Sequence, residues 1–170
     1  MELWDLYTRD RELTGEEHIR GNELPDDRYH LVVHVWIVNK DGKFLISQRD
    51  ASRPACPLMW ECVGGSVLKG ETSLQGAVRE VKEEVGIDLQ PETGRFICSE
   101  VRTIINGRKI NDIKDVWLFQ YDGEVDLKNA AEQEVAAVKW LYPHEIRQLS
   151  DDGKLVETLA YFFDDVVKQI

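Results

Sequence analysis

Four glutamates, Glu71, Glu80, Glu83 and Glu84, cluster in one short stretch of this chain, with Arg79 among them and Gly64, Gly65 and Gly70 just ahead. If residues 72 to 85 are helical, a turn of about 100° per residue stacks Glu80 over Glu84 and sets Glu83 beside them. Like charges at that spacing cost a helix a few tenths of a kcal/mol per pair, and Arg79 and Lys82 offset only part of it. Alone, such a face is most often a solvated surface. The glycines change that reading, because they let a backbone approach a ligand closely and expose its carbonyls. Converging oxygens are what Mg²⁺ selects, usually through a few carboxylates plus substrate phosphate oxygens.

The elements that must hold these residues are legible in outline. Leu74, Ala77, Val78, Val81 and Val85 recur at helical spacing, so the glutamate segment carries an apolar stripe for a sheet. Thr72 with Gln75 makes a capping-box start, and Gly86 suits the stop. Ahead of it, YHLVVHVWIV, Asp41-Gly42 and KFLISQR predict a hairpin with a two-residue turn, and WECVGGSV predicts a short strand breaking into a glycine turn. After it, FICSEVRTII, Asn106-Gly107 and a strand reaching VWLFQYDGEV predict a second hairpin, and EVAAVKWLY a further strand. A short helix begins at Pro143. A longer one is expected over residues 155 to 170, with Leu155, Val156, Leu159, Phe162, Phe163, Val166, Val167 and Ile170 on one face. Residues 1 to 28 read as an N-terminal arm, a hairpin of LWDLY and HIRGNE packed on a domain of residues 29 to 170. Strands with helices on either face predict an α/β sandwich with a mixed sheet.

The segment from Gly65 to Ile87 matches Gx5Ex7REUxEExGU, with U a bulky aliphatic residue: Gly65, Glu71, Arg79-Glu80, Val81, Glu83-Glu84, Gly86 and Ile87 all fall in place. It therefore resembles the Nudix box, and the strand and helix order over residues 29 to 170 is similar to that family's α/β/α sandwich. The resemblance implies a Mg²⁺-dependent hydrolase (Mn²⁺ a possible substitute) acting on a nucleoside diphosphate or nucleoside diphosphate-X substrate. It implies Glu80, Glu83, Glu84 and the Gly65 carbonyl as metal ligands. Arg79 is implied to orient glutamates through Glu71, and Glu83 or a distal-loop glutamate to take the proton of the attacking water. Glu134, directly before VAAVKW, is the distal candidate, with Glu132 the alternative.

The arm and residues 29 to 50 also resemble the Nudix subgroup nearest the type I isopentenyl-diphosphate isomerases, which raises a rival chemistry. Those enzymes carry a catalytic cysteine followed by Gly-His; the corresponding triplet here is Gly64-Gly65-Ser66. Cys62 lies two residues earlier, about 7 Å away along a strand. His30 and His34 share one strand face, too few for a zinc site, and His30 is expected to line the core. Tyr29, Trp36, Trp60 and Trp117 could stack a base, but core packing is the commoner use of such residues. A non-catalytic metabolite sensor is a further alternative, disfavoured by the retained like charges.

The composition is that of one ordinary globular domain: 170 residues, 42% hydrophobic and 31% charged. Cys56, Cys62 and Cys98, without CxxC spacing, are expected as reduced thiols in or near the core. A net charge of −11 with no basic run argues against nucleic acid polymers and anionic membranes, while a small phosphorylated substrate remains compatible because bound metal inverts the local charge. No signal peptide or membrane span is visible, so a cytoplasmic monomer or homodimer is expected.

Overall fold

The computed structural model describes residues 1–131 and 133–170. The run His30–Val38 forms the central strand because both of its faces are covered. Leu31, Val33, Val35 and Ile37 point to one side, where they meet Ala77, Val81 and Val85. Trp36 and Val38 point to the other, against Phe44, Ile46, Ile146, Leu159, Phe162 and Val166. Burial on both faces explains why this strand reads as a nearly continuous apolar run.

Around it lie β1 (Leu3–Tyr7), β2 (Leu13–Ile19), the central β3 (His30–Val38), β4 (Phe44–Arg49), β5 (Trp60–Glu61) and β6 (Val63–Ser66). Then come α1 (Ser73–Val85), β7 (Arg95–Ile105), β8 (Arg108–Gln120), β9 (Val135–Leu141) and α2 (Pro143–Asp151). Strands β1 and β2 make a separate antiparallel pair, and β3 to β9 make one mixed sheet. β3 runs parallel to β8 and antiparallel to β6, and β7 is antiparallel to β8. β3 and β4 are in register only at Val38 and Phe44; beyond that pair β4 turns to β5 and β9. Helix α1 covers one face, and α2 with the C-terminal segment covers the other, giving the expected sandwich.

Several local expectations change. Gly64 and Gly65 do not form a turn; they lie inside β6, opposite His34 and Val33. A Cβ on Gly64 would stand 2.5 Å from the Val33 carbonyl oxygen, and one on Gly65 would fall within the Glu80 carboxylate. These glycines serve close approach rather than chain reversal. The loop after β3 spans Lys40, Asp41 and Gly42, not two residues. It is closed by Asn39 N–H donating to Lys43 O (2.9 Å), while Asn39 Oδ1 accepts from Asp41 N and Lys43 N. At Asn106-Gly107 the two-residue turn holds, with φ of 49° and 76°. In the arm, β2 begins at Leu13, so only His18 and Ile19 of the expected HIRGNE segment are in the strand.

Residues 155 to 170 are not one α-helix. Backbone bonds between Trp60 and both Lys154 and Val156 keep that stretch extended against β5. Then follow a 3₁₀ turn (Glu157–Leu159), a π turn (Phe162–Val166) and a 3₁₀ turn (Val167–Gln169). The apolar spacing survives at Leu155, Leu159, Phe162 and Val166, but Ile170 is exposed. Packing decides the geometry: Phe162 stacks on Trp36 at 4.2 Å and meets Phe44 edge-on at 4.9 Å.

Candidate active site

Helix α1 starts at Thr72, whose hydroxyl accepts from Gln75 N (3.2 Å) while Gln75 Oε1 accepts from Thr72 N (2.8 Å). It ends at Gly86, whose φ of 73° lets its N–H reach Lys82 O. Between these caps the valines bury into the sheet and turn the glutamates toward β6. Their exposure is graded rather than uniform. Glu84 is buried at 7% relative exposure, and Glu80 and Glu83 are half-buried.

Arg79 organises the cluster. Its guanidinium takes Glu71 by two bonds (2.8 and 3.0 Å), Glu80 and Glu83 at 2.9 Å each, and the Ser66 carbonyl at 2.8 Å. Burial works against the Glu71 carboxylate, but Arg79 and the Leu68 N–H outweigh it and hold its pKa below the usual value. Glu84 is the opposite case. Burial pushes its carboxyl well up, repulsion from Glu80, Glu61 and Glu134 adds to this, and Arg53 pulls back.

The three helix glutamates, Gly64 to Ser66 and Glu134 line one polar cavity of about 110 Å³, together with Glu2, Arg20 and Arg53. Of the site residues expected from sequence, Gly65, Glu80, Glu83, Glu84 and Glu134 line this cavity; Arg79 and Glu71 do not line it but join it through the bonds of Arg79 to Glu80 and Glu83, and Glu132 lies outside the described residues. Glu134 is ion-paired to Arg53, and its carbonyl accepts from Asp50 N at 2.9 Å. The loop before β9 is fastened to the helix: Ala131 N–H donates to the Glu83 carbonyl at 2.9 Å.

The donors suit a hard divalent cation: all are oxygens, and one carboxylate is sequestered among others that repel it. Glu80 lies against Gly65 in the space a side chain would fill. Among the described residues no three His, Cys, Asp or Glu side chains stand in ready ligand geometry; Glu80 and Glu83 share Arg79 instead.

A second cavity of about 210 Å³ shares Gly64, Gly65 and Ser66 with the first and is lined further by His34, Cys62, Glu61 and Arg102. Cys62 is buried, and burial with Glu61 and Glu84 nearby pushes its thiol pKa well up; Cys56, by contrast, is exposed and Cys98 half-buried, so the expectation of three core thiols fails for Cys56. His34 Nδ1 is 2.8 Å from the Tyr161 hydroxyl, and burial keeps its ring neutral. His30 is buried and stacks on Trp4 at 4.0 Å. Tyr29, Trp36 and Trp60 are buried in packing, and Trp117 donates to Ser73 Oγ at 2.9 Å. Sequence reasoning missed Glu61, whose carboxyl is raised by burial despite its ion pair with Arg49 (2.7 Å). The available signal was a charged residue between buried Trp60 and Cys62, on the strand leading to the glycines.

The NUDIX domain model matches residues 28–164. A Nudix hydrolase of Listeria monocytogenes is 37% identical over 164 residues, covering 96% of this chain and 91% of its own length. An isopentenyl-diphosphate Delta-isomerase of Salmonella typhi is 33% identical over 147 residues, 78% of this chain and 81% of its own. Among solved structures, a Deinococcus radiodurans protein has a TM-score of 0.74 at 22% identity, covering 99% of this chain and 98% of that one. A Francisella tularensis bifunctional NMN adenylyltransferase/ADP ribose pyrophosphatase, complexed with AMP and a Mn ion, has a TM-score of 0.59 at 23% identity, covering 80% of this chain and 41% of that one. A box complete from Gly65 to Ile87, mounted on this sandwich and matched by these relatives, means that the chain belongs to the Nudix family of hydrolases.

Proposed function

We propose that this protein hydrolyses a diphosphate linkage in a nucleoside diphosphate or nucleoside diphosphate-X compound, in the cytoplasm, with Mg²⁺ as its metal and Mn²⁺ able to replace it. The observation that carries this reading is Glu84, a buried carboxylate that lines one cavity with Glu80, Glu83 and Glu134. Such a group is costly unless a cation joins it. Glu80, Glu83, Glu84 and the Gly65 carbonyl would hold that cation. When bound, it supplies a lowered pKa for water, polarisation of phosphoryl oxygens and neutralisation of the leaving group.

The chain's own side chains then have separable tasks. Arg79 is a positioning residue: its bonds to Glu71, Glu80, Glu83 and the Ser66 carbonyl fix the helix carboxylates against β6. Glu83, or Glu134 from the opposite wall, accepts the proton of the attacking water. Arg53 restrains Glu134 through their ion pair.

The deciding experiment is a product screen across nucleoside diphosphates, nucleotide sugars, dinucleoside polyphosphates and prenyl diphosphates. Turnover is expected with Mg²⁺ or Mn²⁺ and none in EDTA; full activity after exhaustive chelation would sink the metal-assisted reading. The isomerase relative motivates one more arm, isopentenyl diphosphate, where dimethylallyl diphosphate as product would replace hydrolysis with isomerisation. Cys62 speaks against that result, since it lines the neighbouring cavity rather than the carboxylate one, with a thiol that ionises reluctantly.

A further inference from the structure

The open end of the β1–β2 hairpin abuts the carboxylate cavity. Leu3 pairs with Ile19, so the next residues outward, Glu2 and Arg20, face each other, with Arg20 N–H donating to the Glu2 carbonyl at 3.1 Å. Both residues line the cavity. Arg20 Nη1 donates to both Glu2 carboxylate oxygens, at 3.0 and 2.8 Å. Among the described residues no acceptor takes its Nε or Nη2, although the charges of Glu134 and Glu80 act on it.

The hairpin that carries Arg20 is held at both ends and in the middle. Near the cavity, Lys69 N donates to Leu3 O and Gly70 N to Asp5 Oδ2, each at 2.8 Å. Midway, Tyr7 and Tyr29 exchange backbone bonds. At the turn, Arg11 grips the fully buried Asp115 with two bonds. A cation on so fixed a support is preorganised for its ligand. Apart from Arg20, the arginine lining the cavity is Arg53, which is committed to Glu134.

We propose that Arg20 is a phosphate-binding residue of this cavity, the guanidinium edge that meets no acceptor among the described residues taking the non-bridging oxygens of a diphosphate while Glu2 steadies the other edge. This rests on reading the cavity as a diphosphate site. Guanidinium suits the task because its fork matches phosphate oxygens two at a time.

The test is calorimetric binding of methylenediphosphonate, which cannot be hydrolysed at its bridge, to the full chain in saturating Mg²⁺. Arg20→Gln should weaken binding by about 10- to 100-fold, the range for a charge-assisted contact. Arg20→Lys, keeping the charge without the fork, should fall between, and Glu2→Gln should bind as well as the wild type or more tightly. Binding by Arg20→Gln within twofold of a wild type that does bind would overturn the proposal alone, as would a loss in Glu2→Gln equal to that in Arg20→Gln, since the pair would then be only a strut. A wild type that binds no diphosphonate would overturn the diphosphate reading and this proposal with it.

Discussion

Arg79 touches more of the site than any glutamate does, yet the glutamates carry the sharper tests. Glu83→Gln keeps the shape and an acceptor for Arg79 but removes ligand charge and basicity. We expect kcat to fall by at least roughly 10² to 10⁴, with metal-free thermal stability level or slightly raised as repulsion is relieved. A variant that melts markedly earlier while keeping its rate would make the cluster structural. Gly65→Ala places a methyl group inside the Glu80 carboxylate, so that carboxylate must move away from β6. Activity should collapse while the melting midpoint reports a cost of about 1 to 3 kcal/mol, the usual range for forced overpacking. Cys62→Ser should cost about 1 to 2 kcal/mol for a buried hydroxyl and little rate; abolished turnover would restore the thiol as a catalyst. At this scale the Nudix box was readable because its residues are neighbours in sequence. Glu2 and Arg20, which line the same cavity, and Glu61, which lines the neighbouring one, were not, because strand pairing and hairpin docking bring them there and no local spacing records that.

Helices and hairpins with their own punctuation were legible: the Thr72–Gln75 box, Gly86, Pro143 and Asn106-Gly107 each act within a few residues. Elements shaped by distant partners were not. The C-terminal segment has a helical apolar rhythm, but Trp36, Phe44 and Trp60 bend it into short turns. Tyr161 marks the joint, its hydroxyl meeting Trp36 Nε1 at 3.0 Å and His34 Nδ1 at 2.8 Å. Tyr161→Phe should therefore cost about 1 to 3 kcal/mol in chemical denaturation by stranding buried polar atoms; a neutral result would show the segment held by apolar packing alone. The contact of the arm with β3, where Trp4 stacks on His30, offers a pH test. Burial, with His18, Arg102 and Arg20 adding to it, lowers the His30 pKa from 6.5 to about 4. As pH falls below 6.5 the unfolded chain takes up a proton that the folded one refuses, so stability present above 6.5 is lost progressively toward pH 4. The loss should approach about 3 kcal/mol, at 1.36 kcal/mol per unit. His30→Phe, which keeps a ring against Trp4, should show a flatter profile than wild type over that window, and an identical slope would remove His30 as the cause.

Across the whole molecule, the acidic balance bears on the proposed metal. A ligand that binds only the folded state raises stability with its concentration. The melting temperature should climb with Mg²⁺ and fall back in EDTA; indifference to both would count against a cation site among the glutamates. The pairing of β3 with β8 carries another consequence, in time rather than space. The β7–β8 hairpin closes across Asn106-Gly107 and can form in roughly 1 to 10 μs. Its parallel seam with β3 joins residues 30–38 to residues 112–120, and the wall bearing Glu134 needs β9 to find β4. Such long closures are paid in chain entropy before any contact repays them, which makes them slow. On dilution from denaturant, hairpin signals should therefore appear well before Trp36 is shielded, and catalytic competence should return no sooner than that shielding. The cavity would then be among the last parts of the protein to exist, and a nascent chain would pass through its early collapsed states without any capacity to turn over substrate.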